Sequence, residues 1–360
     1  MEEIKSSKLA FTYAGCFIGA GFLSGNELWQ FFGSFGKLGA VALVLAIVLQ
    51  GVFGFIAIRY AGANNISRFD VLIVKYNNKF LRGFFVVTEM VFIFFVVSVM
   101  LAGAGSLFKT VFNVNEWWTS LIFTVIVMAI AYFGLNGVIS IFSSTIPILT
   151  VATIIISVMA LVNFGMPNLS NAPVTGKTWM LPNFIVSAIL FAVHNLYCTL
   201  GVIAPLGARV KDRNTAIQGM TYASIVLLLI SVAVLCPLYA NLNYATKALP
   251  MLELAKVLSG PLFYVYALLM LMGMFGTAVS HTVAVTDFCE QRFEKIKKHK
   301  FLLIVPLGIL AYVVSLLGFN DLIAIMYPLS GYVGIIAIIM ITINYFDSIK
   351  KEKIKTKKHA

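Results

Sequence analysis

Long apolar runs with few charges dominate this chain and limit what it can become. Ten of them fall near residues 9–35, 38–62, 83–112, 117–135, 138–163, 181–208, 215–240, 261–288, 301–318 and 322–346. A helix that crosses the roughly 30 Å hydrocarbon core of a bilayer needs about 20 apolar residues. A membrane β-barrel would instead show short alternating segments. The composition agrees: 60% of the residues are hydrophobic, 11% are charged, and the mean hydropathy is +0.96. A soluble domain carries about 25% charged residues. These values exclude a soluble enzyme and a disordered chain. They predict an all-α integral membrane protein with ten transmembrane helices. The first run is too long for a cleaved signal peptide, and it contains Glu27.

Charge tests the count. The net charge of +12 would suggest nucleic acid in a soluble protein. In a membrane protein, basic residues hold the cytoplasmic loops inside. With the N-terminus inside, the inner segments hold 21 of the 26 Lys and Arg. The outer segments hold Lys37, Lys109, Lys177, Lys247 and Lys256. This asymmetry predicts a multi-pass protein of the cytoplasmic membrane with both termini cytoplasmic, lipid as its surroundings and no nucleic-acid partner. The chain reads as one transmembrane domain over 1–360. Ten spans divide into halves at 9–163 and 181–346, followed by a basic cytoplasmic tail at 347–360. An odd number of spans per half forces the second half to run inverted, and inverted repeats place interrupted helices in corresponding positions. The first and sixth spans are therefore expected to be broken.

Both have the residues for it. The first span has glycines at 15, 19, 21 and 25, and each costs a helix about 1 kcal/mol relative to Ala. Close packing through small residues is one reading. The other is an unwound stretch at Gly19, Ala20 and Gly21, about 15–18 Å along the span and so near the midplane. Irregular backbone at that depth is tolerated around a ligand or a wet cavity. The sixth span carries His194, Asn195, Tyr197, Thr199, Gly201 and Pro205. Pro205 cannot donate an N–H and crowds the Gly201 carbonyl. A packed helix with an interior His and Asn is the plainer alternative.

The 5+5 plan and the Gly15–Gly21 region resemble the amino acid–polyamine–organocation superfamily, which has the LeuT-type fold. The stretch GAGFLSGNELWQFF at 19–32 is similar to the signature of YkvI-like bacterial membrane proteins. The resemblance implies secondary transport of an amino acid or similar small solute, with sodium or a proton as the coupling ion and no other cofactor. In sodium-coupled members of that fold, one ion lies between the first and eighth spans. The matching groups here are the carbonyls of Gly15 and Ile18, with Thr277, Ser280 and His281. Hydroxyls and carbonyls suit a hard cation. They can equally bond within their own helix. His281 keeps proton coupling open.

A half-helix N-terminus at each break suits a substrate carboxylate. Gly19, Ala20, Gly21 and Phe22, with His194, Asn195 and Tyr197, are therefore the expected substrate-binding residues. Two carboxylates are candidate proton or gate groups. Glu27 is expected near the outer end of the first span, facing a vestibule. Glu89 lies inside the third span, where an ionisable residue reads as functional by default; pairing with Arg82 or Lys79 is the plainer reading. A transporter-fold receptor that senses a solute without moving it is the rival, and it would need partner proteins. An enzyme is not expected, because no metal-ligand cluster, paired carboxylates or nucleophile–base pair lies at recognisable spacing.

Overall fold

The computed structural model describes residues 4–75, 78–132, 135–167 and 178–359, with side chains omitted at 135–145, 296–297 and 352–359. Most of the linker at 164–180 thus lies outside the described residues. The described residues form helices and no strands. The first half holds α1 (Ser6–Phe17), α2 (Ala20–Ser24), α3 (Asn26–Phe31), α4 (Lys37–Asn64), α5 (Phe69–Ile73), α6 (Lys79–Phe112), α7 (Glu116–Ala131) and α8 (Leu135–Phe164). The second holds α9 (Phe184–Cys198), α10 (Leu200–Ala208), α11 (Arg213–Ala240), α12 (Leu242–Ala245), α13 (Pro250–Leu258), α14 (Gly260–Arg292), α15 (Glu294–Lys298), α16 (Phe301–Ser315) and α17 (Phe319–His359).

Six helices are long and apolar enough to cross a membrane: α4, α6, α8, α11, α14 and α17. The pair α9 and α10 together adds a seventh span, bent by 64° at its break. α7 and α16 are apolar but shorter. The basic tail expected from residue 347 continues the last helix, since α17 runs on to His359. Its Lys-rich turns have no helix breaker to end them. Apolar side chains cover the outside as well as the core: Val48, Val125, Val151 and Ile309 are all more than half exposed. That pattern marks helices whose outer faces meet lipid.

The bundle has a basic end. There Ser6 Oγ donates to Gln218 Oε1 (3.0 Å), Arg59 to the Lys211 carbonyl (3.0 Å), and Asn64 Nδ2 to Ser348 Oγ (3.2 Å). The start of α1, the end of α4, the start of α11 and the late turns of α17 therefore share one face. At the other end, Asn26 Nδ2 donates to the Lys247 carbonyl (3.3 Å) and to Asn320 Oδ1 (3.0 Å).

Both expected interruptions are present, and the first is shorter than the sequence suggests. In the first span only Ile18 and Gly19 leave the helix, with ψ of 77° at Ile18 and an extended Gly19. Ala20 and Gly21, expected to be unwound, already belong to α2. Two bonds account for this: Gly19 N–H turns back to the Phe17 carbonyl (2.9 Å), and Leu23 N–H restarts the ladder on Gly19 (3.0 Å). A second bend follows at Gly25, whose φ of 86° is left-handed. In the sixth span the break is at Thr199, and Pro205 sits inside α10. Thr199 Oγ1 donates to the Asn195 carbonyl (2.6 Å), a local bond that competes with the ladder.

Candidate functional site

The two breaks meet at a buried cavity of about 20 Å³, lined by Cys16, Phe17, Gly19, Glu27, Val96, Met100, His194, Asn195, Cys198, Thr199, Thr277, His281 and Tyr327. A space of that size holds about one water. The elements that build it are the ends of α1 and α9 at their breaks, α3, and the facing stretches of α6, α14 and α17.

Glu27 is not in an outer vestibule. It is 3% exposed and lines this cavity. The left-handed turn at Gly25 bends the chain, and Glu27 lies against Gly21. A Cβ on Gly21 would stand 2.8 Å from Glu27 Oε2. Asn195 is its polar neighbour across the cavity, and Glu27 Oε1 is buried without a hydrogen-bond partner. The described lining contains no Lys or Arg to balance this carboxyl.

Two imidazoles share the wall. His194 Nδ1 meets Ser330 Oγ, and its ring stacks on Tyr327 at 4.0 Å between centroids. His281 Nδ1 lies 2.8 Å from the Thr277 carbonyl. A carbonyl only accepts, so Nδ1 is the donor there, and a neutral His281 keeps Nε2 as an acceptor.

The five groups expected around an ion are partly brought together. Thr277 Oγ1 donates to the Ile18 carbonyl at 3.3 Å, joining α14 to the first break. The Gly15 carbonyl loses its usual donor four residues on, because Gly19 N–H turns to Phe17. Ser280 directs its proton to the Thr277 carbonyl (2.9 Å), the within-helix alternative. Its lone pairs remain, 3.3 Å from His281 Nδ1.

Of the expected substrate-binding residues, Gly19, His194 and Asn195 line the cavity. Ala20 directs its N–H to Met100 Sδ (3.2 Å). Phe22 packs on Phe191. Tyr197 lies outside the cavity lining, with its hydroxyl 2.6 Å from Thr88 Oγ1. A helical register of 100° per residue turns Tyr197 away from the face that His194 and Cys198 share. Tyr327, Ser330 and Met100 are additions from the structure. Tyr327 and Ser330 stand out in sequence as polar positions in the last apolar run; Met100 has no such signal.

Glu89 is separate from the cavity and fully buried. Its expected partner Arg82 binds the Val74 carbonyl instead (3.2 and 3.1 Å). Neither Glu89 oxygen has a hydrogen-bond partner. The Gly201 N–H in the first turn of α10 points toward it without closing a bond. Glu89 thus stands at the positive end of a half-helix. Among the described residues, no three His, Cys, Asp or Glu side chains converge as a metal site.

The fold built around these two breaks is shared with solved membrane transporters. MhsT in complex with L-phenylalanine superposes with a TM-score of 0.65 at 13% identity, covering 96% of this chain and 98% of that one. Mhp1, a nucleobase-cation-symport-1 family transporter, closed with bromovinylhydantoin bound, gives 0.63 at 12% identity over 89% of this chain and 75% of that one. Inward-facing Mhp1 gives 0.51 at 11% identity, over 97% and 92%. Among curated proteins, the chain is 23% identical over 344 residues to the uncharacterized membrane protein YkvI of Bacillus subtilis (strain 168), covering 93% of this chain and 95% of that one. It is 21% identical over 329 residues to the uncharacterized protein YyaD of the same organism, covering 89% and 91%. No protein-family model matches the chain.

Proposed function

We propose that the chain is a secondary transporter of the amino acid–polyamine–organocation superfamily. It would move an amino acid or a similar small zwitterionic or amine solute by alternating access. The ten helical segments would form a 5+5 inverted repeat in the cytoplasmic membrane, with the basic end inside. Sodium or protons would drive it.

One observation carries this reading: two interrupted helices meet at a buried cavity that holds a carboxyl, two imidazoles and freed backbone groups. The N-termini of α2 and α10 suit a substrate carboxylate. The freed Gly15 carbonyl, the Ile18 carbonyl and Glu27 suit an amino group or a cation. Thr277, Ser280 and His281 supply the eighth-span side of a coupling site. The one-water cavity and the better fit to closed than to inward-facing Mhp1 support a closed state.

The test starts with thermal stability of the detergent-purified chain against amino acids, amines and nucleobases, in sodium and in potassium, at two pH values. A solute at 100 times its Kd adds about 2.7 kcal/mol. Stabilisation that requires sodium identifies a sodium symporter; stabilisation that follows pH alone identifies proton coupling. Proteoliposomes of the chain alone then accumulate the hit down an ion gradient. A hit that binds and is never accumulated overturns transport in favour of a solute receptor.

A further inference from the structure

We infer that the basic end of the bundle carries a binding site for an anionic phospholipid between α4 and α11. The site has two joined parts. The first is an apolar groove of about 520 Å³ along the lipid-facing seam of the two helices. The second is a polar recess of about 370 Å³ at the basic end, where the late turns of α17 close over the end of α4. Arg213, the first residue of α11, lines both.

The groove has the form of an acyl-chain slot. Val48 and Val52 on α4 face Ile217 and Ile225 on α11, each pair spaced as one helix face. The floor is deep because Gly51 has no side chain; a Cβ there would run into Ser224 Oγ. From Arg213 to Leu228 the wall runs about 22 Å at 1.5 Å per residue. One leaflet is about 15 Å deep, so an extended chain fits along it.

The recess has the form of a headgroup pocket. Arg59 uses one guanidinium nitrogen on the Lys211 carbonyl, which leaves further donors free. Among the described residues, no hydrogen bond or ion pair takes the exposed Arg213 guanidinium. The neighbouring acid, Asp212, accepts from Thr215 N (2.7 Å) and Oγ1 (3.0 Å) instead. Lys211 is held by Asn65 Oδ1 (3.1 Å) and the Gly62 carbonyl (3.4 Å). Two arginines at one recess offer the fork that suits a phosphate. Asn64 and Ser348, joined to each other there, add polar atoms at glycerol level. Positive charge, polar recess and chain-length groove follow one another in the order of a phospholipid's parts, and basic pockets between spanning helices hold acidic headgroups. The site is independent of whatever the central cavity binds.

The test is native mass spectrometry of the full chain in detergent, with melting curves in parallel. The probes are phosphatidylglycerol, phosphatidylcholine with the same chains, and glycerol 3-phosphate. Phosphatidylglycerol is expected to stay bound and raise Tm, phosphatidylcholine to bind several-fold more weakly, and glycerol 3-phosphate to do neither. Arg213→Gln, at an exposed position, should keep its fold and bind phosphatidylglycerol about fivefold more weakly. Val52→Trp should fill the groove and weaken both lipids. Equal retention of the two lipids by the wild-type chain, or Arg213→Gln binding as the wild type does, would overturn the proposal in favour of ordinary annular lipid. Stabilisation by glycerol 3-phosphate as large as that by the lipid would overturn it in favour of a free-phosphate pocket.

Discussion

Single positions decide the chemistry of the cavity. Gly19 lines it and Gly21 lies against Glu27, which does; a Cβ would meet Met100 at 2.9 Å from Gly19 and Glu27 at 2.8 Å from Gly21. Gly19→Leu and Gly21→Leu are expected to insert normally and to lose solute stabilisation; a ligand-induced Tm shift of wild-type size in both would remove the first break from the site. Glu89 has no partner for either oxygen, and an unpaired charge in a dry interior costs several kcal/mol. Tyr197 and Cys198 on α9 are its titratable neighbours, with the Gly201 N–H on α10. A carboxylic acid hands its proton to an apolar carbodiimide and its oxygen adds to the central carbon, so labelling of Glu89, read by peptide mass spectrometry, should fall as pH rises. Protection by sodium at constant pH would make Glu89 a sodium ligand instead. Glu89 was visible in the sequence as a carboxylate inside an apolar run. Its isolation was not, because Arg82 is near in sequence and its choice of the Val74 carbonyl depends on the path of the intervening loop.

Helix ends and bends follow local rules that the sequence shows unevenly. The glycines of the first span and the Thr, Gly and Pro of the sixth announce two breaks. Their positions are set by single hydrogen bonds, Gly19 to Phe17 and Thr199 to Asn195, which periodicity does not reveal. The bend at Gly25 was the consequential one to miss. It requires a left-handed residue and moves Glu27 from the periphery to the cavity. Gly25→Ala should therefore destabilise the protein by about 1–2 kcal/mol through φ alone. Its Cβ would also press on Leu238 at 2.8 Å. A Tm equal to wild type would mean that the turn relaxes. At the start of α11, Asp212 caps Thr215, and those bonds hold its carboxyl below the usual range. A lowered folded value stabilises the protein above the unfolded pKa, and that contribution fades as pH falls through the folded value. Asp212→Ala should thus melt earlier than wild type at neutral pH, and the gap should close in acid.

The ten apolar runs and the clustering of basic residues were legible because lipid imposes both on any bundle of this kind. The cavity was legible only in part, since Tyr327 lines it, and Ser330 holds His194, from a helix more than a hundred residues away from His194. Closure of the bundle can be checked without knowing the solute. Cys16 and Cys198 line the cavity and are buried, whereas Cys236 and Cys289 are partly exposed. With the latter two changed to Ser, a small thiol reagent should modify Cys16 and Cys198 slowly, and a solute that holds the closed state should slow it further. Rapid modification unaffected by any solute would mean that the bundle rests open. The size of that cavity also bears on the working cycle. If the chain cycles as proposed, the closed bundle leaves a space of about one water between the two breaks. A solute of more than a few heavy atoms then has to push the broken helices apart to be held there. Selection would act through how far each solute spreads them, and the shut bundle would keep the bilayer tight to small ions.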